Sequence, residues 1–374
     1  MLRVLGALAT AVLAVSLSAS AVAACGAMVS PTGANDRVQG FDAMISFDGS
    51  REQVLTQVAY NTPEGQRPAS SFGWLMPLPA APEVARGDID QLDIALAITT
   101  PPDPSAYQFQ PFPGSENGAG APATGGVEVI GSATVGPLQF VTLQAGDAAA
   151  LGRWLVENGY AWKPGQQPAI QRYLDQGWVI EAARAVPDDT GASTGAVGPI
   201  RFTFPSTRLV YPMALLSASP QPELVSVRLL LLTPYRPVST SYAQADARFD
   251  GAGYYQPSPD QLDLLYSAPL GAGGRRAVTT HDAAGRIMVP SHPWLTRYEA
   301  TWRSSRMTKD LSFARSAKQD PITYAPLINR LQAGENAQQA RFFGLLLGLP
   351  LVVLLAIAGG AVWLLMRRRR RPSA

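Results

Sequence analysis

A single cysteine, Cys25, and two histidines, His281 and His292, stand in a chain of 374 residues. One thiol cannot form an intrachain disulfide, so a core must hold this fold even in an oxidising compartment. Two imidazoles fall short of a closed zinc site, and the His-Asp pair in TTHD (Thr279 to Asp282) lacks the i, i+4 spacing of helical metal ligands. Charge is scarce as well: only 16% of the residues are charged, and the formal net charge is +2. Arg3 and Arg367 to Arg371 supply 6 of the 30 basic residues, which leaves 24 against 28 acidic residues between the two ends. Such a surface has no surplus of cations to release counterions from a phosphate backbone, so nucleic acid is not an expected partner. No Gly cluster spells a dinucleotide fingerprint or a P-loop, and no cofactor is expected.

What the chain does have is hydrophobic sequence at both ends. Residues 1–24 open with Arg3, continue through VLGALATAVLAVSL and close in small residues, the layout of a secretory signal peptide. About 14 apolar residues are too few for a spanning helix, which needs ~20. From Phe342 to Met366 the chain runs without a charge, and as a helix at ~1.5 Å per residue it would reach about 37 Å, enough to cross a bilayer with tilt. Arg367, Arg368, Arg369, Arg370 and Arg371 follow at once and read as a stop-transfer cluster held on the cytoplasmic side. The expected layout is therefore a signal peptide (1–24), an extracytoplasmic globular region (25–341), a transmembrane helix (342–366) and a basic cytoplasmic tail (367–374). That is a single-pass protein of the cell membrane with its N-terminal domain outside. The residues VAAC ending at Cys25 fit a lipobox, in which the cysteine is acylated, whereas AVA also allows ordinary cleavage after Ala23.

Within the exported region strand signals dominate. AMISF and VLTQVAY flank DGS and predict a hairpin. SFGWLMPLP predicts a strand ending at Pro77, Pro101 to Gly126 a surface loop, and VEVIGSATVGPLQFVTL further alternation. Asp147 is placed to cap a helix over AAALGRWLVEN that stops at Gly159, and a second short helix runs from near Pro168 to Gly177. WVIEAARAV, RFTF, RLVYPM and the alternating run around Trp302 read as strands, PDDTGASTGAVG as a flexible segment, and VSVRLLLL as a strand buried on both faces. The expected fold class is a strand-rich α+β domain with a few short helices, plus one C-terminal transmembrane helix.

Candidate chemistry is thin. GASTG (Gly191 to Gly195) matches the letters of a nucleophile elbow but lacks the strand before and the helix after that expose its serine. Asp188 and Asp189 could offer carboxylates to a calcium ion, but a two-acid turn of this kind reads as solvated. Trp154, Trp162 and Trp178 are candidates for an aromatic contact surface, set against a core role suggested by Leu151, Trp154 and Leu155 falling at helical spacing.

Cys25-Gly26 after the signal, Phe72 and Trp74 with LMPLPAAPEV, LGRWLVENGY, IQRYLDQGW, PIRFTF with LVYPM, and LTRYEATWRSSRMTKDLSF occur in that order. This ordered set resembles the bacterial domain-of-unknown-function family 2330, whose members are exported and membrane-anchored, over about residues 25–313. The resemblance implies a location and a fold boundary rather than a reaction. It also implies further cysteines near the N-terminus, which this chain lacks. The expected function is a non-enzymatic binding or envelope-complex module, with the lipid bilayer and envelope or membrane proteins as partners. The alternative is an extracytoplasmic hydrolase using carboxylates from the segment Asp246 to Asp263.

Overall fold

Asp48 shows how the local sequence starts the fold. Its Oδ1 accepts from the backbone N–H of Ser50 and of Arg51, each at 2.8 Å, while Gly49 takes φ +100°, and the chain reverses. The strands on either side form the hairpin that the alternation predicts. The computed structural model describes residues 27–29, 37–61, 73–101, 126–136, 138–185, 196–218, 224–250, 253–279, 285–330 and 333.

The first strands are β1 (Ala27–Met28), β2 (Arg37–Phe47), β3 (Arg51–Asn61), β4 (Gly73–Leu78) and β5 (Glu83–Arg86), followed by helix α1 (Ile89–Ile98). Next come β6 (Val127–Val135), β7 (Leu138–Ala145), α2 (Ala148–Glu157), α3 (Gln167–Leu174), β8 (Val179–Ala185), β9 (Ala196–Pro205) and β10 (Leu209–Tyr211). The third group is β11 (Leu224–Thr233), β12 (Pro237–Ser239), β13 (Gln244–Asp246), β14 (Arg248–Phe249), β15 (Tyr255–Gln256) and β16 (Leu262–Pro269). Helix α4 (Ala272–Thr279), β17 (Trp294–Arg303) and β18 (Leu311–Arg315) close the series.

An eight-stranded sheet in the order β13-β16-β17-β11-β2-β3-β9-β5 faces a five-stranded sheet in the order β1-β4-β8-β7-β6. Two small sheets, β10-β18-β12 and β14-β15, complete the strand-rich α+β fold. The largest core fills the space between the two main sheets. There Trp74 and Phe140 from the smaller sheet meet Phe202 from the larger one, with ring centroids 5.8 to 6.5 Å apart in edge-on pairs. Helices α2 and α3 cover the outer face of the five-stranded sheet, where Leu151, Trp154, Ile170 and Tyr173 are buried. Helices α1 and α4 cover part of the outer face of the eight-stranded sheet over Met44, Leu55, Leu230 and Leu295. The layers therefore run helix, sheet, sheet, helix, and the central strands bury alternate side chains in different cores.

The local signals for α2 and α3 are visible in atomic detail. Asp147 Oδ1 accepts the N–H of Ala150 at 2.7 Å, and Gly159 and Gly177 take φ +83° and +76° just past the helix ends. Three readings need correction. β4 does not stop at Pro77 but continues to Leu78; β1 pairs only with Trp74 and Leu75, so Pro77 lies where that side of the strand is an edge. β9 begins at Ala196, inside the segment read as flexible, because β3 supplies a partner for it. β11 is buried on both faces only in its second half, and Leu224 and Ser226 are exposed. Helix α1 forms over Ile89–Ile98 without an amphipathic stripe in the sequence to predict it. Among the described residues no helix is long and apolar enough to cross a membrane; residues 1–24, expected to be a signal peptide, residues 102–125 of the expected surface loop, and the apolar run 342–366 lie outside them.

One glycine is fixed by packing rather than by backbone angle. A Cβ on Gly152 in α2 would stand 2.5 Å from Cε2 and 2.8 Å from Nε1 of Trp162. Alanine gains about 1 kcal/mol in helix propensity, while an overpacked contact costs about 1–3 kcal/mol. Gly152→Ala is therefore expected to lower stability by about 1 kcal/mol in urea denaturation. A change in tryptophan emission should accompany it as the indole is pushed aside. Stability equal to or above that of the parent chain would show that the ring yields freely.

Candidate functional site

Strand alternation sends every second side chain to the outer face of the eight-stranded sheet, and register then decides which of them meet. Gln57 on β3 stands opposite Asp42 on β2, Asp42 opposite Arg228 on β11, Arg228 opposite Glu299 on β17, and Glu299 opposite Asp263 on β16. Five neighbouring strands thus contribute one polar row. On one side of it lie the apolar residues covered by α1; on the other lie Ser226 and Thr301, whose hydroxyl oxygens are 3.4 Å apart at the surface.

From Asp42 to Glu299 the charges in the row alternate and are paired, while Asp263 beyond them is a second acid next to Glu299. Arg228 Nη1 donates to Asp42 Oδ2 at 3.2 Å, and Arg228 Nε lies 3.4 Å from Glu299 Oε1. Arg297, one step along β17 toward the apolar side, is fully buried. Its Nε donates to Glu299 Oε1 at 2.8 Å, and its Nη1 donates to the Thr99 carbonyl at 3.0 Å and to Thr100 Oγ1 at 3.1 Å. A guanidinium is the side chain whose fixed fork can satisfy a carboxylate and a helix C-terminus together. Burial pushes the Asp42 carboxyl upward, and Arg228 pulls it back.

Asp93 on α1 adds a charge at the margin of this row. Burial, with Asp90 and Asp42 nearby, raises its carboxyl to about 6, and its Oδ1 is shielded from water without a hydrogen-bond donor. This is the convergence of two carboxylates, one of them desolvated, that acid–base chemistry would use. The sequence placed such carboxylates elsewhere, in Asp246 to Asp263. Of that segment Asp263 joins the row, where its Oδ2 accepts from Tyr255 Oη at 2.6 Å and from the Ser258 N–H at 2.7 Å. Asp246, Asp250 and Asp260 are exposed, and Asp260 pairs with Arg306.

The residues singled out in the sequence take other positions. Trp154 and Trp178 are buried with α2 and α3 against the five-stranded sheet, and Trp162 is half-buried at the edge of the same cluster. Trp154 stacks on Tyr160 with centroids 6.2 Å apart, and Trp178 lies 5.1 Å from Tyr173. Cys25, Arg367 to Arg371, Asp188, Asp189, GASTG and His281 lie outside the described residues, while His292 is exposed with φ +52°. Among the described residues no three His, Cys, Asp or Glu side chains are grouped to hold a metal. The row itself left a signal: Asp42, Arg228 and Arg297 interrupt apolar strand sequences at the period of two, which marks a face that is neither plain core nor plain surface.

A family model described as an uncharacterized protein conserved in bacteria, DUF2330, matches residues 19–314. No curated protein matches the chain, and no solved structure does.

Proposed function

From the premise that this chain belongs to the bacterial family DUF2330, we propose that it is a membrane-anchored, extracytoplasmic binding module without enzymatic activity. Its binding face is the exposed border of the polar row at Ser226 and Thr301, on the side away from α1. The observation that carries this reading is the alternation of Asp42, Arg228, Glu299 and Arg297 across hydrogen-bonded strands, in which each charge is matched by a neighbour. Groups locked in this way make poor nucleophiles or bases. Being largely buried, they form instead a rigid polar base beneath the exposed Ser226–Thr301 edge, which orders few side chains on binding. The signal segment, the 342–366 apolar run and Arg367 to Arg371 support the location.

Ser226 borders the row and is exposed, so Ser226→Trp should cover the face without touching the paired charges. In pull-downs of the tagged full chain from membranes, we expect the variant to lose at least tenfold of whatever protein accompanies the parent chain, with its own level unchanged. Equal recovery from both chains would remove this border as the binding face.

A second reading has one observation in its favour, the raised Asp93 carboxyl beside buried Asp42. It is the extracytoplasmic hydrolase, with Asp93 exchanging a proton near neutral pH. Asp93→Asn leaves the row intact. Loss of a hydrolytic activity in this variant, with binding retained, would favour the hydrolase over the binding module.

A further inference from the structure

The described chain leaves the domain along the edge of β16. Ile322 exchanges backbone hydrogen bonds with Ser267 at 2.7 and 2.8 Å, and Tyr324 Oη donates to the Thr99 carbonyl at 2.8 Å. A helical segment over 325–330 follows. Tyr324 and Leu327 are buried against Leu265, with Phe249, Tyr255 and Tyr266 packed around them. Phe249 is the link to the small β14–β15 hairpin: its ring lies 5.9 Å from that of Tyr324, edge-on, and 6.1 Å from that of Tyr255. Arg330 Nη2 reaches the Asp250 carbonyl at 3.3 Å. The hairpin and the departing segment are therefore joined by rings and by a hydrogen bond.

The hairpin shows solvent an uncommon combination. Tyr254 is 47% exposed, and Arg248 and Arg330 are exposed beside it. The acid among them, Asp250, is exposed as well, but its carboxylate is engaged within the hairpin, accepting the Tyr254 N–H on Oδ1 at 2.9 Å and the Gln256 amide on Oδ2 at 3.3 Å. An amphipathic ring between two cations suits the headgroup zone of a bilayer, where the ring sits at the boundary and the guanidinium groups meet anionic lipid. Chain length supplies the other constraint. Only residues 331–341 separate Arg330 from Phe342, the first residue of the apolar run. That stretch spans roughly 16 Å as a helix and at most about 38 Å fully extended.

Resting on the membrane-anchored reading above, we propose that the β14–β15 hairpin is a second membrane contact. It lies on the headgroups of the bilayer that the C-terminal run enters, with Tyr254 at the boundary and Arg248 and Arg330 toward anionic lipid. The domain is then held in one orientation rather than swinging on a tether.

Site-directed spin labelling of the full chain in phosphatidylglycerol-containing vesicles tests this. Cys25→Ser removes the native thiol, and single labels are placed through Tyr254→Cys, Val156→Cys and Leu354→Cys. Val156 on α2 is 58% exposed and serves as the aqueous reference, while Leu354 lies within the apolar run. The ratio of oxygen to nickel-chelate accessibility is expected to be at least threefold higher at 254 than at 156, and closer to the value at 354. If 354 reports lipid but 254 matches 156, the hairpin contact fails and the anchor stands. If 254 is shielded from both oxygen and chelate, a protein surface covers the hairpin, and the lipid contact is wrong. If 354 reports water, the anchored reading fails and the hairpin contact with it.

Discussion

Arg297→Met is expected to lower the stability of the domain by about 3 kcal/mol, among the largest losses from a single substitution. The methionine would fill most of the volume, so packing is not the cause. Arg297 is fully buried and is the nearest cation to Glu299, which is itself only 12% exposed. Removing the guanidinium leaves that carboxylate with Arg228 alone, at 3.4 Å, and takes a donor from the Thr99 carbonyl at the end of α1. Denaturant titration reads the loss as a lower midpoint at unchanged slope. Glu299→Gln should cost less, because it leaves a neutral acceptor beside each arginine. If Arg297→Met loses under 1 kcal/mol, the row is not a coupled network and its assignment as a rigid base fails.

Glu181→Gln should act in the opposite direction and stabilise the domain at pH 8 by a few kcal/mol. Glu181 is 2% exposed on β8, on the face turned to the core between the sheets. Its Oε2 accepts from Thr142 Oγ1 at 2.8 Å, and Oε1 has no donor. Burial raises its carboxyl from 4.5 to about 8, and the Thr142 bond offsets only part of that. Between those values the folded chain holds a proton that the unfolded chain has released. Stability therefore falls as pH rises from about 4.5 to about 8 and levels off above. Glutamine carries no charge to release and keeps a group of the same size beside Thr142. Glu52, fully buried with Val210 N–H donating to Oε2 at 3.1 Å, is raised by burial too and preserves part of the slope in the variant. Thermal denaturation from pH 5 to pH 9 checks both proteins. A parent chain whose stability is flat over that interval, or a Glu181→Gln variant that keeps the full slope, would contradict this account.

These two residues differ in how the sequence announced them. Glu181 lies in WVIEAARAV, which reads as a strand without difficulty, but nothing in the alternation says that its own face is interior. The five-stranded sheet is covered on both sides, so polar position in the pattern does not mean solvent. Asp42, Arg228 and Glu299 are 186 and 71 residues apart along the chain, and they meet only because β11 lies parallel to β2 and antiparallel to β17. No periodicity encodes that pairing. Periodicity does not announce α1, because IDQLDIALAI is apolar nearly all round and lacks a clean stripe; its helical state is fixed by Asp88 accepting the N–H of Asp90 and by the sheet beneath it.

What the sequence determined by itself was short-range: the hairpin around Asp48 to Ser50, the cap at Asp147, the helix ends at Gly159 and Gly177, and membership of DUF2330 through motifs in fixed order. Each depends on side chain and backbone within a few residues, where the chemistry of a turn or cap decides the outcome. Tertiary structure alone decided the order of the strands, the burial of Trp178, the charged row, and the docking of the β14–β15 hairpin on the segment leading to Arg330. Those depend on which surfaces are brought together to remove apolar area from water, and that choice belongs to the whole chain rather than to any window of it.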